Sequence, residues 1–299
     1  MEVTDMVKSI KGAVVITGTS TGLGRATALL LDKQGYRVFA GVRTEKDAES
    51  LKQAASSDLT PIIMDVTKAE QIQSALEFVS LAVGDEGLFG LVNNAVVAVD
   101  GPWECVAIDD LRWQFEVSVF GLIAVTQAFL PMIRKAKGRI INITAVGARL
   151  AAPFFGPLVA SKFALEAITD SMRMELRSSE VEVLSILPAS MNTEVSDKVE
   201  ASYQKTLANM SPEAKTVYGK NFRIFMENVV EGNRQGIPPE KVANVILEAL
   251  EARKPKRQYV VTKSKWRITI GALQKRLMPH QYFYDNFYYD GIRKRLGLD

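Results

Sequence analysis

The chain has 299 residues, 47% of them hydrophobic, enough for a sizeable core, and an α/β sheet of this size commonly forms one domain. A single cysteine, Cys105, excludes an internal disulfide, and the mixed start MEVTDMVKSIKG has no secretory apolar stretch, so a cytoplasmic protein is expected. The net charge of +3 is uneven: Glu251–Asp299 holds twelve Lys and Arg against four Asp and Glu, with no nucleic-acid motif behind it, so no nucleic-acid partner is expected.

Ala13–Thr17 is a short apolar, β-branched run, as a fully buried strand should be, and Gly18, Gly22 and Gly24 follow before a helical Arg25–Asp32 segment. Strand, glycine loop and helix in that order let the backbone turn sharply and approach a pyrophosphate, which sits on free N–H groups at the helix start. Tyr36–Ala40 reads as strand two, the polar Thr44–Ala55 as a helix and Pro61–Asp65 as strand three. Phe89–Val92 is strand four, Asp109 is expected to cap a long helix to about Lys135, and Gly138–Ile143 is strand five. Leu158–Arg177 reads as a helix, Glu182–Leu187 as strand six, Pro238–Ala252 as a helix and Gln258–Val261 as the last strand. This alternation predicts a single-domain α/β Rossmann fold over residues 1–262, a doubly wound parallel sheet with helices on both faces and a ligand crevice at the strand carboxyl ends. The insert at 189–237, polar with scattered aromatics, suits a mobile lid more than a packed core, and 263–299 forms a basic, aromatic extension. No run of eighteen apolar residues exists; the nearest, Val117–Ile133, is broken by Gln127 and Pro131 and reads as a core helix.

With Thr17 at its head, the loop spacing is TGxxxGxG, and it resembles the short-chain dehydrogenase/reductase family, here a divergent member similar to retinol and hydroxysteroid dehydrogenases. Other motifs carry the resemblance from about Lys11 to Thr262. Asp65-Val66 looks like the adenine-contacting pair, Asn93-Asn94-Ala95 the start of an NNAG element, and Pro188 and Thr193 the ends of a PGxxxT element. Lys162, in ASKFALEAITDSMRMEL, looks like the lysine that holds the ribose hydroxyls. The resemblance implies a cofactor site of Gly18, Ser20, Thr21, Gly22, Leu23, Gly24, Arg43, Asp65, Val66, Asn93, Asn94, Ala95, Lys162, Pro188 and Thr193. Strand two ends in Gly41-Val42-Arg43 with no acid until Glu45, so NADP is favoured over NAD: an acid would repel the 2′-phosphate, whereas Arg43 can pair with it.

The family's redox centre resembles an Asn–Ser–Tyr–Lys set. Counting back four residues from Lys162 gives Leu158 for the Tyr, thirteen more gives Ala145 for the Ser, and the Asn falls at Ser118. Thr144 has a hydroxyl but, one step along the strand, should face the other way. Val96 and Ala189 replace glycines on the nicotinamide side. Three readings stay open: an NADP-binding protein performing non-redox chemistry on, or only binding, a hydrophobic small molecule; an oxidoreductase using substitute groups; or a noncatalytic NADP sensor or scaffold. Lys162, without its usual partner, is expected to have a lowered pKa, and a neutral amine could act as a base or form a Schiff base.

Around the family's pocket, Asp100, Glu104 and Cys105 follow strand four, and Glu194 and Asp197 open the lid; for the acids a solvated loop charge is the default, and for Cys105 a small buried hydrophobe. His280 is the only histidine, so no metal cluster is expected. Assembly as a dimer or tetramer through Asp109–Lys135 and Leu158–Arg177 is implied by the resemblance. In the extension, Trp266, Tyr282, Phe283, Tyr284, Phe287, Tyr288 and Tyr289 lie among basic residues, and Ile268–Leu277 is apolar at mixed helical spacing, as peripheral membrane contact or partner packing would use.

Overall fold

The computed structural model describes residues 11–263 and 290–291. His280 and the aromatic residues of the extension, Trp266 and those from Tyr282 to Tyr289, fall outside the described residues. Seven short runs, rich in Val, Ile and Leu, form strands β1 (Ala13–Ile16), β2 (Arg37–Val42), β3 (Leu59–Ile63), β4 (Gly90–Asn93), β5 (Arg139–Ile143), β6 (Glu182–Pro188) and β7 (Gln258–Val261). All pair in parallel, in the order β3-β2-β1-β4-β5-β6-β7. The chain runs outward from β1 to β3, then returns to place β4 on the other side of β1. A crevice therefore opens between the carboxyl ends of β1 and β4.

Burial on both faces explains why the strands are mostly apolar. On one face α1 (Gly22–Lys33) and α9 (Pro239–Glu251) cover Val14, Ile16, Val92 and Ile186 with Leu23, Ala28, Leu31, Val242 and Ile246. On the other, α3 (Ala69–Val83) and α5 (Gly121–Lys135) cover Val15, Phe39, Leu91 and Ile140 with Ile72, Val79, Val125, Phe129 and Ile133. The doubly wound sheet expected from the strand–helix alternation is what the chain forms. A short helix, α2 (Glu45–Lys52), follows β2 and is capped by Thr44, whose hydroxyl accepts from Asp47 N.

Three local expectations are corrected. The helix after β4 begins at Ile108, with Ala107 rather than Asp109 at the cap; Asp109 lies in the first turn and pairs with Arg112. That helix is not uniform: α4 (Ile108–Phe115) passes through a π-helical turn, Glu116–Phe120, into α5. By length and composition Ile108–Lys135 could cross a membrane, and 56% of its most apolar window is buried inside the protein. The 189–237 insert is a packed pair of helices, α7 (Val195–Asn209) and α8 (Pro212–Arg234), not a loose lid. Val199, Tyr203, Phe222, Phe225, Met226 and Val230 form their own buried cluster, which takes in Phe154, Phe155 and Cys105. Phe154, held at φ 64, sets its ring edge-on to Phe222 and Phe225 and accepts a hydrogen bond from Gly101 N. The remaining helix, α6 (Gly156–Glu175), packs against β6 and the π-helical turn.

Candidate functional site

Glycine geometry builds the first half of the site. Gly18 and Gly22 sit at φ 69 and 58, which side chains rarely adopt. A Cβ at Gly24 would lie 2.2 Å from the Gly18 carbonyl oxygen and 2.5 Å from Asn94 Nδ2, so the start of α1 and the glycine loop touch backbone to backbone there. Asn94 Nδ2 donates to the carbonyls of Thr17 and Gly18, and Thr17 Oγ1 accepts from the amides of Asn94 and Ala95; β4 and the glycine loop are thereby locked across the crevice. Thr19 donates to the Gly41 carbonyl through both its amide and its hydroxyl, tying the loop to the end of β2, beyond which Arg43 stands exposed. The N-cap of α1, Thr21, makes no side-chain cap bond and the first turn has no acid, so this helix start offers unpaired N–H groups and positive potential to an anion. Ser20 lies half-buried in the loop, and Leu23 faces the core. Thr193, before α7, approaches Gly22: a Cβ there would stand 3.6 Å from it.

Asp65, after β3, accepts from the amide and hydroxyl of Thr67, and Val66 is buried against Gly121. Pro188 closes β6 and is buried. Asn93 behaves differently from its neighbour, since successive strand residues face opposite sides. Its Nδ2 donates to Thr126 Oγ1 and Asn142 Oδ1, and Asn142 in turn donates to Thr169. Its side chain is thus a latch joining β4, β5 and helices α5 and α6, not a wall of the cradle.

The second half of the site centres on Lys162, which is 6% exposed and donates from Nζ to the Ile143 carbonyl at 2.8 Å. Burial pulls its amine down to about 8, against an opposing pull from Glu166 one turn on. One turn before it on α6 is Leu158, half-buried, and at the end of β5 is Ala145, also half-buried. Thr144 is 2% exposed and donates to the Ile186 carbonyl, so its hydroxyl faces away, as strand alternation predicts. Ser118 lies in the π-helical turn, 1% exposed, and accepts from Gln114 Nε2 at 2.9 Å. Val96 is 48% exposed.

The buried ammonium has a sign-definite consequence for stability. Because the folded amine titrates near 8 and a free lysine near 10.5, the unfolded chain binds more protons between those values, and stability from this group rises across that window. The rise is expected to reach ~3 kcal/mol. Denaturant unfolding of wild type and Lys162→Met at pH 7.5 and pH 10 should show it as a slope that the variant lacks.

A model of the short chain dehydrogenase family matches residues 12–204. The chain belongs to that family. Retinol dehydrogenase 5 of Mus musculus is 37% identical over 255 residues, 82% of this chain and 79% of that protein. The NADPH-dependent 3-dehydrocapnine reductase of Ornithobacterium rhinotracheale is 35% identical over 84% of this chain and 88% of its own length. Among solved structures, a short chain dehydrogenase from Burkholderia cenocepacia J2315 in complex with NADP superposes with a TM-score of 0.66 at 24% identity, covering 96% of this chain and 98% of that one.

Two polar residues of this chain have no counterpart in the sequence reading. Gln114 is fully buried and braces the loop after β4: its Oε1 accepts from Val99 N, and Nε2 lies within bonding distance of Val97 O, Ser118 Oγ and Ser161 Oγ. Lys198 on α7 donates to Thr21 Oγ1 at 3.4 Å, bringing a cation over the glycine loop. Neither has a local signal: one lies among helical charges, the other matters only through a fold contact. The acids at the lid do not converge on Lys162. Glu194 occupies the N-cap position of α7 without a side-chain cap bond and is exposed, and Asp197 pairs with Arg234. Cys105 packs with the lid cluster, and burial pushes its thiol up, which suits a small hydrophobe. No group of three or more potential metal ligands occurs among the described residues.

Proposed function

We propose that this chain binds NADP(H) in the glycine-loop cradle and handles a hydrophobic small molecule beside it, with little capacity for ordinary carbonyl–alcohol interconversion. Cofactor binding is supported by the pinched Gly24–Gly18 contact, the open N-terminus of α1, Arg43 beyond an acid-free β2 end, and the NADP or NADPH named for the relatives. Gly18, Ser20, Thr21, Gly22, Leu23 and Gly24 would hold the pyrophosphate and Arg43 the 2′-phosphate. Asp65 and Val66 would hold the adenine, and Asn94, Ala95, Lys162, Pro188 and Thr193 the nicotinamide riboside. When bound, the cofactor supplies a transferable hydride.

The observation that carries the non-redox reading is Leu158 one helical turn before Lys162. A leucine neither gives nor takes a proton, Ala145 offers no donor to a carbonyl, Ser118 is spoken for by Gln114, and Thr144 faces away. Lys162 is the one titratable group of that set; with its amine near 8, roughly a tenth is neutral at pH 7. Its position against the Ile143 carbonyl suits a positioning role, and its neutral fraction suits non-redox base chemistry on a bound carbonyl compound. Apolar side chains at Val96, Ala145 and Leu158 and the relatives named for retinol, an apolar alcohol, support a hydrophobic ligand.

A second reading, an oxidoreductase working through substitute groups, is favoured by the dehydrogenase and reductase names of relatives at 35–37% identity. Exposed Ile108, Trp113, Phe120 and Phe163 on α4, α6 and the π-helical turn support assembly with a second copy through these helices.

Fluorescence titration tests the cofactor half. Wild type should bind NADPH at least ten-fold more tightly than NADH, and Arg43→Ala should weaken NADPH ~10- to 100-fold while leaving NADH unchanged, the worth of one charge-assisted contact. Equal weakening of both cofactors would assign Arg43 a structural role only.

A further inference from the structure

Away from the cofactor cradle, a cavity of about 380 Å³ lies between the loop after β4 and the α7–α8 hairpin. Asp100 lines it and is 5% exposed. One of its oxygens, Oδ1, accepts from Thr206 Oγ1 at 3.2 Å, and Ser202 lines the same cavity. The other, Oδ2, is buried and has no hydrogen-bond partner among the described residues. A buried carboxylate oxygen without a donor is costly, and native folds seldom keep one unless something outside the chain completes it.

The rest of the wall says what that something should carry. Glu104 and Asp110 add two further acids, against which Lys205 is the cation of the lining, so the cavity is net negative. Val106 and Met210 supply an apolar side. Burial raises the Asp100 carboxyl above the usual carboxylate range, so a cationic donor placed beside it would restore the charged form. None of these residues belongs to the cradle around Gly18–Gly24 or to the set around Lys162.

We propose that this cavity binds a small primary ammonium compound, whose N–H group donates to Asp100 Oδ2 while its short hydrocarbon body lies on Val106 and Met210. The loop after β4 and the α7–α8 hairpin are already joined by the Thr206–Asp100 bond, so such a ligand would fasten the lid hairpin to the sheet domain. The assignment stands independently of what happens at Lys162.

Isothermal titration of the full-length protein with hexylamine hydrochloride, and in parallel with hexanol, tests it at pH 7. Saturable binding of hexylammonium is expected, with hexanol at least ten-fold weaker. Asp100→Asn keeps an acceptor for Thr206 but loses the charge, and should weaken hexylammonium ten-fold or more without moving the NADPH affinity. Lys205→Glu, on the exposed rim of α7, should tighten it several-fold and keeps the test open if the Asp100 variant does not fold. Equal affinities for amine and alcohol, indifference to either substitution, or no saturation would overturn the proposal and leave Oδ2 served by water.

Discussion

Installing Asn, Ser and Tyr together through Ser118→Asn, Ala145→Ser and Leu158→Tyr is expected to raise NADPH-dependent reduction of a hydrophobic ketone or aldehyde by ~10²–10⁴. The scaffold for that gain is already present. Lys162 is buried one helical turn from position 158, where its ammonium would lower the pKa of a tyrosine placed beside it, and Ala145 is half-buried at the end of β5, where a hydroxyl would meet a carbonyl. Ser118→Asn falls in a buried π-helical turn and has to displace the Gln114 contact, so Leu158→Tyr with Ala145→Ser alone should recover most of the effect. Steady-state NADPH consumption with retinal or a steroid ketone measures it. A triple variant that binds NADPH normally yet gains nothing would mean that the nicotinamide is not presented to position 158.

The second large effect is expected at Gly24. Gly24→Ala would put a methyl group 2.2 Å from the Gly18 carbonyl oxygen, a contact between two backbone segments that no rotamer change relieves. Either α1 moves away from the loop or the loop gives up its hydrogen bonds to Asn94. Both outcomes disperse the N–H groups that would hold a pyrophosphate. NADPH affinity should fall at least ~100-fold, with a loss of ~1–3 kcal/mol in folding stability typical of overpacking. Titration and thermal melts on the same sample separate the two, because a stable protein without cofactor binding is the signature of a misplaced loop rather than an unfolded one.

The sheet could be read from the sequence because a strand covered on both faces must be largely apolar, as Ala13–Ile16 is throughout and Val183–Leu187 is but for Ser185, and boundary shifts of a residue or two leave the order untouched. The glycine loop was equally plain, since its spacing is a steric requirement. The lid was misjudged for a physical reason: Phe222, Phe225, Met226 and Val230 recur at helical spacing, but charged residues between them lower the average hydropathy of the insert while leaving one face apolar. Asn93 and Asn94 were grouped by motif, whereas their alternation on β4 sends one side chain into the core and the other to the glycine loop. The π-helical turn and the Gln114 hub have no sequence signature; the hub exists because the fold brings Gln114 of α4 against Ser161 of α6. Lys198 reaches Thr21 only because the lid folds back over the loop.

The proposed function joins a working cofactor cradle to a redox corner without a proton donor. It is tested most directly by turnover of the wild-type protein at saturating NADPH, its binding verified by fluorescence in the same preparation, against retinal, steroid ketones and simple aldehydes over pH 6 to 9. Tight NADPH binding is expected, with NADPH consumption no faster than in a substrate-free control. Turnover of any of these carbonyls at the rates ordinary for enzymes, about 1 s⁻¹ or more, would contradict it.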